Sequence, residues 1–236
     1  MRAVILAGGL GTRLRPYTVS LPKPLMPIDG EFPILEIILR QLKRNGFRDI
    51  TIAVGYLGEI IEAFFSNGSK WGLNINYSKE KSSLSTIGPL TLIDDLPENF
   101  LVMNGDILTD ISYRELMEHH LHRGSDVTVA VSKRNAKIDY GVIGFEGERI
   151  TSFVEKPQYQ FDVSMGVYIF NKRVVDGLQE AMPYGFDNLM LDGIQRGLNM
   201  TVFQYDGYWM DIGRLDDYET ANAEFRSLRD RLLGKD

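Results

Sequence analysis

The 236-residue chain is predicted to adopt a doubly wound α/β fold, a mixed sheet flanked by helices. Three observations lead there. A short apolar run, Ala3 to Ala7, is bare of charge and reads as a strand buried on both faces. Helical and strand periodicities then alternate through about residue 125. Finally, glycine- and aspartate-containing turns follow the apolar strands, at the edge where open α/β sheets collect ligand groups.

Taken in order, Gly8, Gly9 and Gly11 follow the first strand within four residues. Backbone there must turn sharply or lie close to a ligand. Residues 1 to 28 hold four basic side chains and no acidic one, in a chain of net charge −6. A glycine loop backed by Arg13, Arg15 and Lys23 suits a polyphosphate, because free N–H groups bind its oxygens and cations neutralise it. Two familiar glycine loops fail against the sequence. No G-x-x-x-x-G-K-[ST] string occurs, and G-x-G-x-x-G begun at Gly9 ends on Leu14.

Phe32-Pro33 precedes apolar residues Ile34, Leu35, Ile38, Leu39 and Leu42, a helical spacing with Pro33 in the first turn and Gly46 at its end. Ile50 to Val54 reads as a strand, Ile60 to Phe65 as a helix closed by Asn67-Gly68, and Leu73 to Tyr77 as a strand. Glu80 to Leu90 reads as a loop entering a helix. Phe100 to Met103 is a buried strand that delivers Asn104-Gly105-Asp106 at its carboxyl end, where a carboxylate can hold Mg²⁺ against phosphate or cap a helix. Ser112-x-x-Glu115 is a capping box opening a helix to Gly124. All three histidines lie in it. His119 and His122 share a face and admit a metal pair, but the simpler reading is imidazoles favoured by the helix C-terminus when protonated.

Val127 to Ser132, Gly141 to Phe145, Ile150 to Glu155 and Val163 to Phe170 are expected to be strands of a small lobe. Helices are predicted over Asn171 to Ala181 and Asp187 to Arg196, a strand over Met200 to Gln204, and a closing helix from Leu215 to about Leu233. The chain is taken as one domain, residues 1–236, with a first half to about 125 and a strand-rich second half from about 126.

Gly8-Gly9-Leu10-Gly11-Thr12-Arg13-Leu14, Pro16-Tyr17-Thr18 and Lys23-Pro24-Leu25-Met26-Pro27 together resemble the signature of the sugar-1-phosphate nucleotidyltransferases. Later segments extend the resemblance to residue 213. Glu80, Leu84, Thr86, Gly88 and Leu90 fit that family's base loop, although Ser85 replaces a common glycine. Asn104-Gly105-Asp106, Tyr140-Gly141, Phe153-Val154-Glu155-Lys156-Pro157, Met165 to Tyr168 and Trp209-Met210-Asp211-Ile212-Gly213 are similar to its other motifs.

The resemblance implies a Rossmann-like fold with a nucleotide-binding half to about residue 125 and a sugar-binding half from about 126 that includes the strand-rich lobe, and transfer of a nucleotidyl group from a nucleoside triphosphate to a sugar 1-phosphate. It implies nucleotide binding by Leu6, Ala7, Gly8, Gly9, Gly11, Thr12, Glu80, Ser85, Thr86 and Gly88. Sugar-phosphate binding falls to Asn104, Gly141, Glu155, Lys156 and Tyr168. Arg13 would hold the departing phosphates, Lys23 would bridge the reacting ones, and Asp106 and Asp211 would carry the Mg²⁺ cofactor. Ser85 could touch the nucleotide or cap the helix expected after it. No hexapeptide repeat follows the last motif, so a β-helix extension is not expected. That compactness leans toward a guanylyltransferase of the mannose or manno-heptose type, with uridylyl and thymidylyl members open. A homodimer is compatible with the reading.

Composition sets the outer limits. The acidic balance argues against nucleic acid, and the absence of cysteine removes disulfides, thiolate metal sites and thiol nucleophiles. No stretch has the length of a membrane span or the form of a targeting segment, so the expected setting is the cytoplasm. A glycosyltransferase is disfavoured because Asn104-Gly105-Asp106 lacks the first acid of D-x-D. A non-catalytic nucleotide-sugar sensor would have little need of Arg13, Lys23, Asp106, Lys156 and Asp211 together.

Overall fold

A computed structural model describes residues 1–234. Its strands are β1 (Arg2–Ala7), β2 (Pro27–Ile28), β3 (Phe32–Pro33), β4 (Asp49–Val54), β5 (Asn74–Lys79), β6 (Asn99–Asn104), β7 (Ile107–Thr109), β8 (Val127–Lys137), β9 (Val142–Glu146), β10 (Arg149–Val154), β11 (Gln158–Asn171), β12 (Met200–Gln204) and β13 (Trp209–Asp211). The helices are α1 (Ile34–Arg44), α2 (Gly58–Phe65), α3 (Tyr113–Arg123), α4 (Arg173–Asp176), α5 (Phe186–Arg196) and α6 (Leu215–Leu233). No helix among the described residues is long and apolar enough to cross a membrane.

Seven strands form one sheet in the order β12-β8-β11-β6-β1-β4-β5. β1 runs parallel to both β4 and β6, while β11 is antiparallel to its neighbours β6 and β8. Six strands therefore end on one edge. The chain winds outward from β1 through β4 and β5, then crosses back to lay β6 on the other side of β1. That reversal opens a crevice beyond the carboxyl ends of β1 and β6, the place where doubly wound sheets bind ligands.

Strand alternation fills both faces. Ala3, Ile5 and Ala7 of β1 with Leu101 and Met103 of β6 join the core beneath α1, α2, α3 and α6. Val4, Phe100 and Val102 join the opposite core beneath α4 and α5. α1 buries Ile34, Leu35, Ile38, Leu39 and Leu42 as its spacing predicts, with Pro33 just ahead of it rather than inside its first turn. It closes at Gly46, whose φ of 86° is the left-handed conformation that glycine takes at little cost. In α3 the Ser112 hydroxyl accepts the Glu115 N–H at 3.2 Å, the N-cap half of the expected box.

Two predicted helices shrink. Asn171 to Ala181 yields only α4, which stops at Gly177, and Glu80 to Leu90 yields only a 3₁₀ turn over Gly88–Leu92. The chain just beyond the first segment bonds to the second instead. Ile87 and Gly88 donate to the Tyr184 carbonyl, and Tyr184 N–H donates to the Leu84 carbonyl. The 181–186 segment is thus a strap across the base loop.

The histidines also depart from expectation. His120 is 1% exposed, held between Thr128 Oγ1 (2.8 Å) and Asn99 Oδ1 (3.0 Å). Burial pulls its pKa down to about 4, so it is a neutral core residue rather than a protonated helix cap.

Candidate active site

The glycine loop leaves β1 at the crevice. The N–H groups of Gly9, Leu10 and Gly11 have no backbone partner among the described residues. Gly11 has φ 60°, and its carbonyl accepts the buried Thr18 hydroxyl at 2.7 Å and the Leu14 N–H at 2.9 Å. A Cβ on Gly11 would lie 2.9 Å from the Thr18 methyl carbon. Thr18, quoted for its motif but given no task from sequence, is thus the post that holds the loop.

Gly8 answers to a different constraint. Glu80, at the end of β5, turns its carboxyl over both Gly8 and Gly55. A Cβ on Gly8 would overlap the Glu80 Oε1, and one on Gly55 would lie 2.7 Å from it. The other oxygen of Glu80 accepts the Leu84 N–H at 2.9 Å. Glu80 accordingly fastens the start of the base loop beside the glycine loop.

A cavity of about 450 Å³ lies between these loops. Of the residues expected from sequence, Leu6, Ala7, Gly8, Gly9, Gly11, Thr12, Arg13, Lys23, Glu80, Ser85, Thr86, Asn104 and Asp106 line it. Leu10, Pro24, Gly105 and Gly213 also line it; they lie within the quoted motifs but were not selected. Ala53, Ser83 and Pro89 complete the wall, Ala53 through a register that puts β4 beside β1.

Lys23 sits on a 3₁₀ turn (Lys23–Leu25) pinned by burial of Leu25 and Met26, and its ammonium pairs with Asp106 Oδ2. Asp106 Oδ1 is buried with no hydrogen-bond partner. Asp211 comes alongside because β13 pairs antiparallel with β7, opposing Asp211 to Ile107, and Ile212 N–H donates to the Asp106 carbonyl at 3.1 Å. Its pKa is raised by desolvation in the cleft wall first and by the Asp106 carboxylate second, while Lys23 and Arg13 act against the rise. Arg13 lies against Gly213, where a Cβ would approach Nη1 to 3.3 Å. Two carboxylates and two cations are therefore gathered at the mouth of the glycine loop, although Asp211 itself stands just outside the cavity lining.

A register shift between Ser164 and Tyr168 marks a bulge in the pairing of β11 with β8. Gly166, at φ 73°, meets the Asn104 side chain so closely that a Cβ would lie 2.7 Å from Nδ2. Trp209 ties the bulge down, donating its indole N–H to the Met165 carbonyl at 2.9 Å beneath the Arg134 guanidinium. Such bulges re-aim side chains beside sites. Tyr168, 5% exposed, stacks on Phe186 with ring centroids 4.5 Å apart. Burial pushes its hydroxyl up to about 12, with Asp106 and Asp211 adding to the effect.

Gly88, Gly141, Glu155 and Lys156 lie outside the cavity lining. Gly88 is buried beneath the strap, where a Cβ would meet the Met182 carbonyl at 2.6 Å. Thr86, though at the cavity wall, accepts the Phe186 N–H at 2.8 Å and so anchors the first turn of α5. Ser85 has φ 65°, a left-handed residue where glycine is the less strained choice. The turn that follows is headed by Ile87 without a side-chain cap, so Ser85 is not its cap. Gly141 stands just before β9 and Glu155 and Lys156 just after β10, with Glu155 Oε2 about 3.1 Å from where a Gly141 Cβ would lie.

The chain is similar over most of its length to several known proteins. A mannose-1-phosphate guanylyltransferase catalytic subunit beta from Xenopus tropicalis is 36% identical over 230 residues, covering 94% of this chain and 63% of that protein. A mannose-1-phosphate guanyltransferase from Neurospora crassa is 36% identical over 238 residues, covering 96% and 65%. The chain thus spans less than two thirds of these curated relatives. Among solved structures, HddC from Yersinia pseudotuberculosis complexed with GMP-PN superposes with TM-score 0.73 at 25% identity, covering 95% of this chain and 99% of that one. A putative glucose-1-phosphate thymidylyltransferase from Bacillus anthracis shares the fold at TM-score 0.77 and 24% identity, covering 96% and 95%. The family model described as nucleotidyl transferase matches residues 2–227, and the chain belongs to that family.

Proposed function

We propose that the protein transfers a nucleotidyl group from a nucleoside triphosphate to a sugar 1-phosphate, releasing pyrophosphate, with GTP and mannose 1-phosphate or a related manno-sugar as the substrates. The observation that carries the reading is the juxtaposition of Lys23, Arg13, Asp106 and Asp211 at a glycine loop in the sheet crevice. The guanylyltransferase names of relatives at 36% identity favour the guanine nucleotide and mannose.

The chemistry asks little of acid–base groups. A phosphate oxygen of the sugar 1-phosphate, already anionic, attacks the α-phosphorus as the bond to pyrophosphate breaks. The barrier lies in bringing two polyanions together, so positioning and neutralisation carry the rate. Free N–H groups at Gly9 to Gly11 would bind phosphate oxygens, and Arg13 would hold the departing pair. Lys23, positioned by its partner Asp106, would face the reacting phosphates. Glu155 and Lys156 would take the sugar hydroxyls and its phosphate from the lobe, and Asn104 would stand between the two substrates.

The acidic pair fits a hard divalent cation. Asp106 keeps a buried oxygen unpartnered, and Asp211 is held close enough that the Asp106 carboxylate disfavours its charge. No third acid or histidine joins them in a metal-holding group among the described residues. Mg²⁺ commonly takes one or two carboxylates and leaves its other positions to substrate phosphate and water. Bound by Asp106 and Asp211, it would neutralise the α-phosphate.

A matrix of the five common nucleoside triphosphates against several sugar 1-phosphates, read as pyrophosphate release with and without excess EDTA, tests the proposal. The expected result is metal-dependent release, fastest with GTP and a manno-configured sugar phosphate. No release with any pair, in protein that still binds a nucleotide, refutes catalysis in favour of a sensor.

A further inference from the structure

We propose that α6 holds Lys23 in place for the transfer step, with Tyr218 and Asn222 as its positioning residues. The inference rests on the proposed function, in which Lys23 is the cation facing the reacting phosphates. Shortly after Lys23 the chain enters the β2–β3 hairpin. Its two residue pairs are Pro27 with Pro33 and Ile28 with Phe32. The prolines have no N–H to give, and so short a pair of strands does not stand alone in water. Asp29 and Gly30, with φ of 51° and 69°, make the tight turn, closed by the Glu31 N–H to the Ile28 carbonyl at 3.1 Å. Burial of Leu25 and Met26 anchors the inner side of the lysine turn. The hairpin sets the direction in which the chain leaves it, and the hairpin needs support from elsewhere.

α6 supplies that support along one face. The Tyr218 hydroxyl donates to the Pro27 carbonyl, and Asn222 Oδ1 accepts the Asp29 N–H at 2.7 Å. Asn222 is itself oriented, its Nδ2 donating to the Tyr218 carbonyl at 2.7 Å. Phe225, 1% exposed, packs on Phe32 with ring centroids 6.1 Å apart. Residues 218, 222 and 225 are spaced by four and three, as one helix face requires. Arg226 and Arg229 pair with Asp29 and Glu31, but ion pairs open to solvent are worth little. The directional hold on the hairpin backbone therefore belongs to Tyr218 and Asn222.

The same helix begins beside Asp211. The Asp217 carboxylate accepts the N–H groups of Gly213 at 3.1 Å and Arg214 at 2.8 Å, closing the turn that follows Asp211. From Arg214 to Asn222 the helix rises only about 12 Å. One rod thus grips the chain behind Asp211 with its first turn and the chain behind Lys23 with its next two. It sets where the lysine stands relative to the carboxylate. In a reaction that depends on positioning, a misplacement of about 1 Å can cost about 100-fold in rate.

Pyrophosphate-release kinetics and calorimetric nucleotide binding on Asn222→Leu, Asn222→Asp and Tyr218→Phe test the inference. Asn222→Leu removes the acceptor at similar size and should lower kcat about tenfold. Nucleotide Kd, set by the glycine loop and Arg13, should stay within about twofold. Asn222→Asp keeps an acceptor for the Asp29 N–H and should restore most of kcat, and Tyr218→Phe should lower it several-fold. In a Lys23→Ala background Asn222→Leu should cost almost nothing more, because the lysine it places is gone. Arg173→Ala, which breaks the pair with Asp126 at the start of β8, should lower Tm and leave kcat alone. Unchanged kcat in Asn222→Leu and Tyr218→Phe overturns the inference. So does a loss fully additive with Lys23→Ala, or one that Arg173→Ala reproduces. If Asn222→Leu fails to fold, Tyr218→Phe, which lacks a single oxygen, decides in the same cycle. A wild type that releases no pyrophosphate refutes the reaction and the inference together; an active wild type with unaffected variants refutes the inference alone.

Discussion

Replacing Gly8 by alanine tests how the two nucleotide-facing loops are fastened. The new methyl group would overlap Glu80 Oε1, and Cδ of the same side chain lies only 3.2 Å from its position. Gly8 is not in the left-handed region, so the conflict is steric alone. Glu80 can swing away, but it then surrenders the 2.9 Å bond from Leu84 N–H that anchors the base loop. A hydrogen bond to a charged group is worth about 1.5–3 kcal/mol. Glu80 is half-buried and recovers some hydration on moving, so the lower end, about 1.5 kcal/mol, applies. If the loop must be ordered to hold a nucleotide, that is about a tenfold rise in Kd. Glu80→Ala should cost a similar amount by removing the acceptor outright, while opening space for the Gly8 methyl group. Gly8→Ala added to Glu80→Ala should then cost almost nothing. Nucleotide affinity of the wild type, both single variants and the double variant, by calorimetry, gives the coupling energy directly. Strictly additive losses would refute the steric link between Gly8 and Glu80.

Three further outcomes follow from the site and the core. Lys23→Ala strips Asp106 of its partner and should lower kcat by about 100-fold or more, whereas Arg13→Ala should raise the KM for the nucleotide as well; wild-type steady-state constants for either variant exclude that residue. His120 is neutral in the fold because its pKa is near 4 against an unfolded value of 6.5, so the unfolded chain binds the extra proton between those limits. Stability is complete above pH 6.5 and falls by up to about 3 kcal/mol as pH drops through 4; urea melts should show this slope in wild type and its loss in His120→Gln. Ser85→Gly relieves a left-handed serine worth about 1 kcal/mol while adding glycine's entropic cost of about 0.5–1 kcal/mol, so Tm should hold steady, and only a several-fold change in the kcat/KM ratio between two nucleotides would establish contact by the hydroxyl.

Sequence disclosed most readily what depends on local pattern. Met200 to Gln204 and Leu215 to Leu233 stand as predicted because alternation and helical spacing there agree with the burial they receive. The glycine loop and Asp106 were legible because each follows the end of a buried strand, and Lys23 because it stands in a proline-rich motif of the same basic stretch. Hidden features depend on distant partners. The segment after Asn171 has helical composition, but Tyr184 and Ala181 bind the base loop and Thr91 instead, and those bonds compete with a helix. Nothing near Glu80 in sequence announces that its carboxyl caps Gly8. His120 looks like its neighbours until β8 supplies Thr128 to enclose it. Tyr168 was noted for its motif, yet its stacking on Phe186 follows from where the strap delivers α5.

The position of β11 has a consequence for synthesis. β6 carries the strand leading to Asn104 and Asp106, and its second neighbour is Val167–Asn171, made long after it. While the ribosome is still extending the chain, β5, β4, β1 and β6 can assemble as a parallel block. Phe100 to Met103 then lie at an open border, with unsatisfied backbone groups beside an apolar run. Such a border recruits any strand that arrives first, from a neighbouring nascent chain as readily as from the same one. The reversed strand acts as a late keystone: it closes β6 on one side and receives β8 on the other. Chains released before residue 171 are therefore expected to aggregate, whereas full-length chains seal the border themselves.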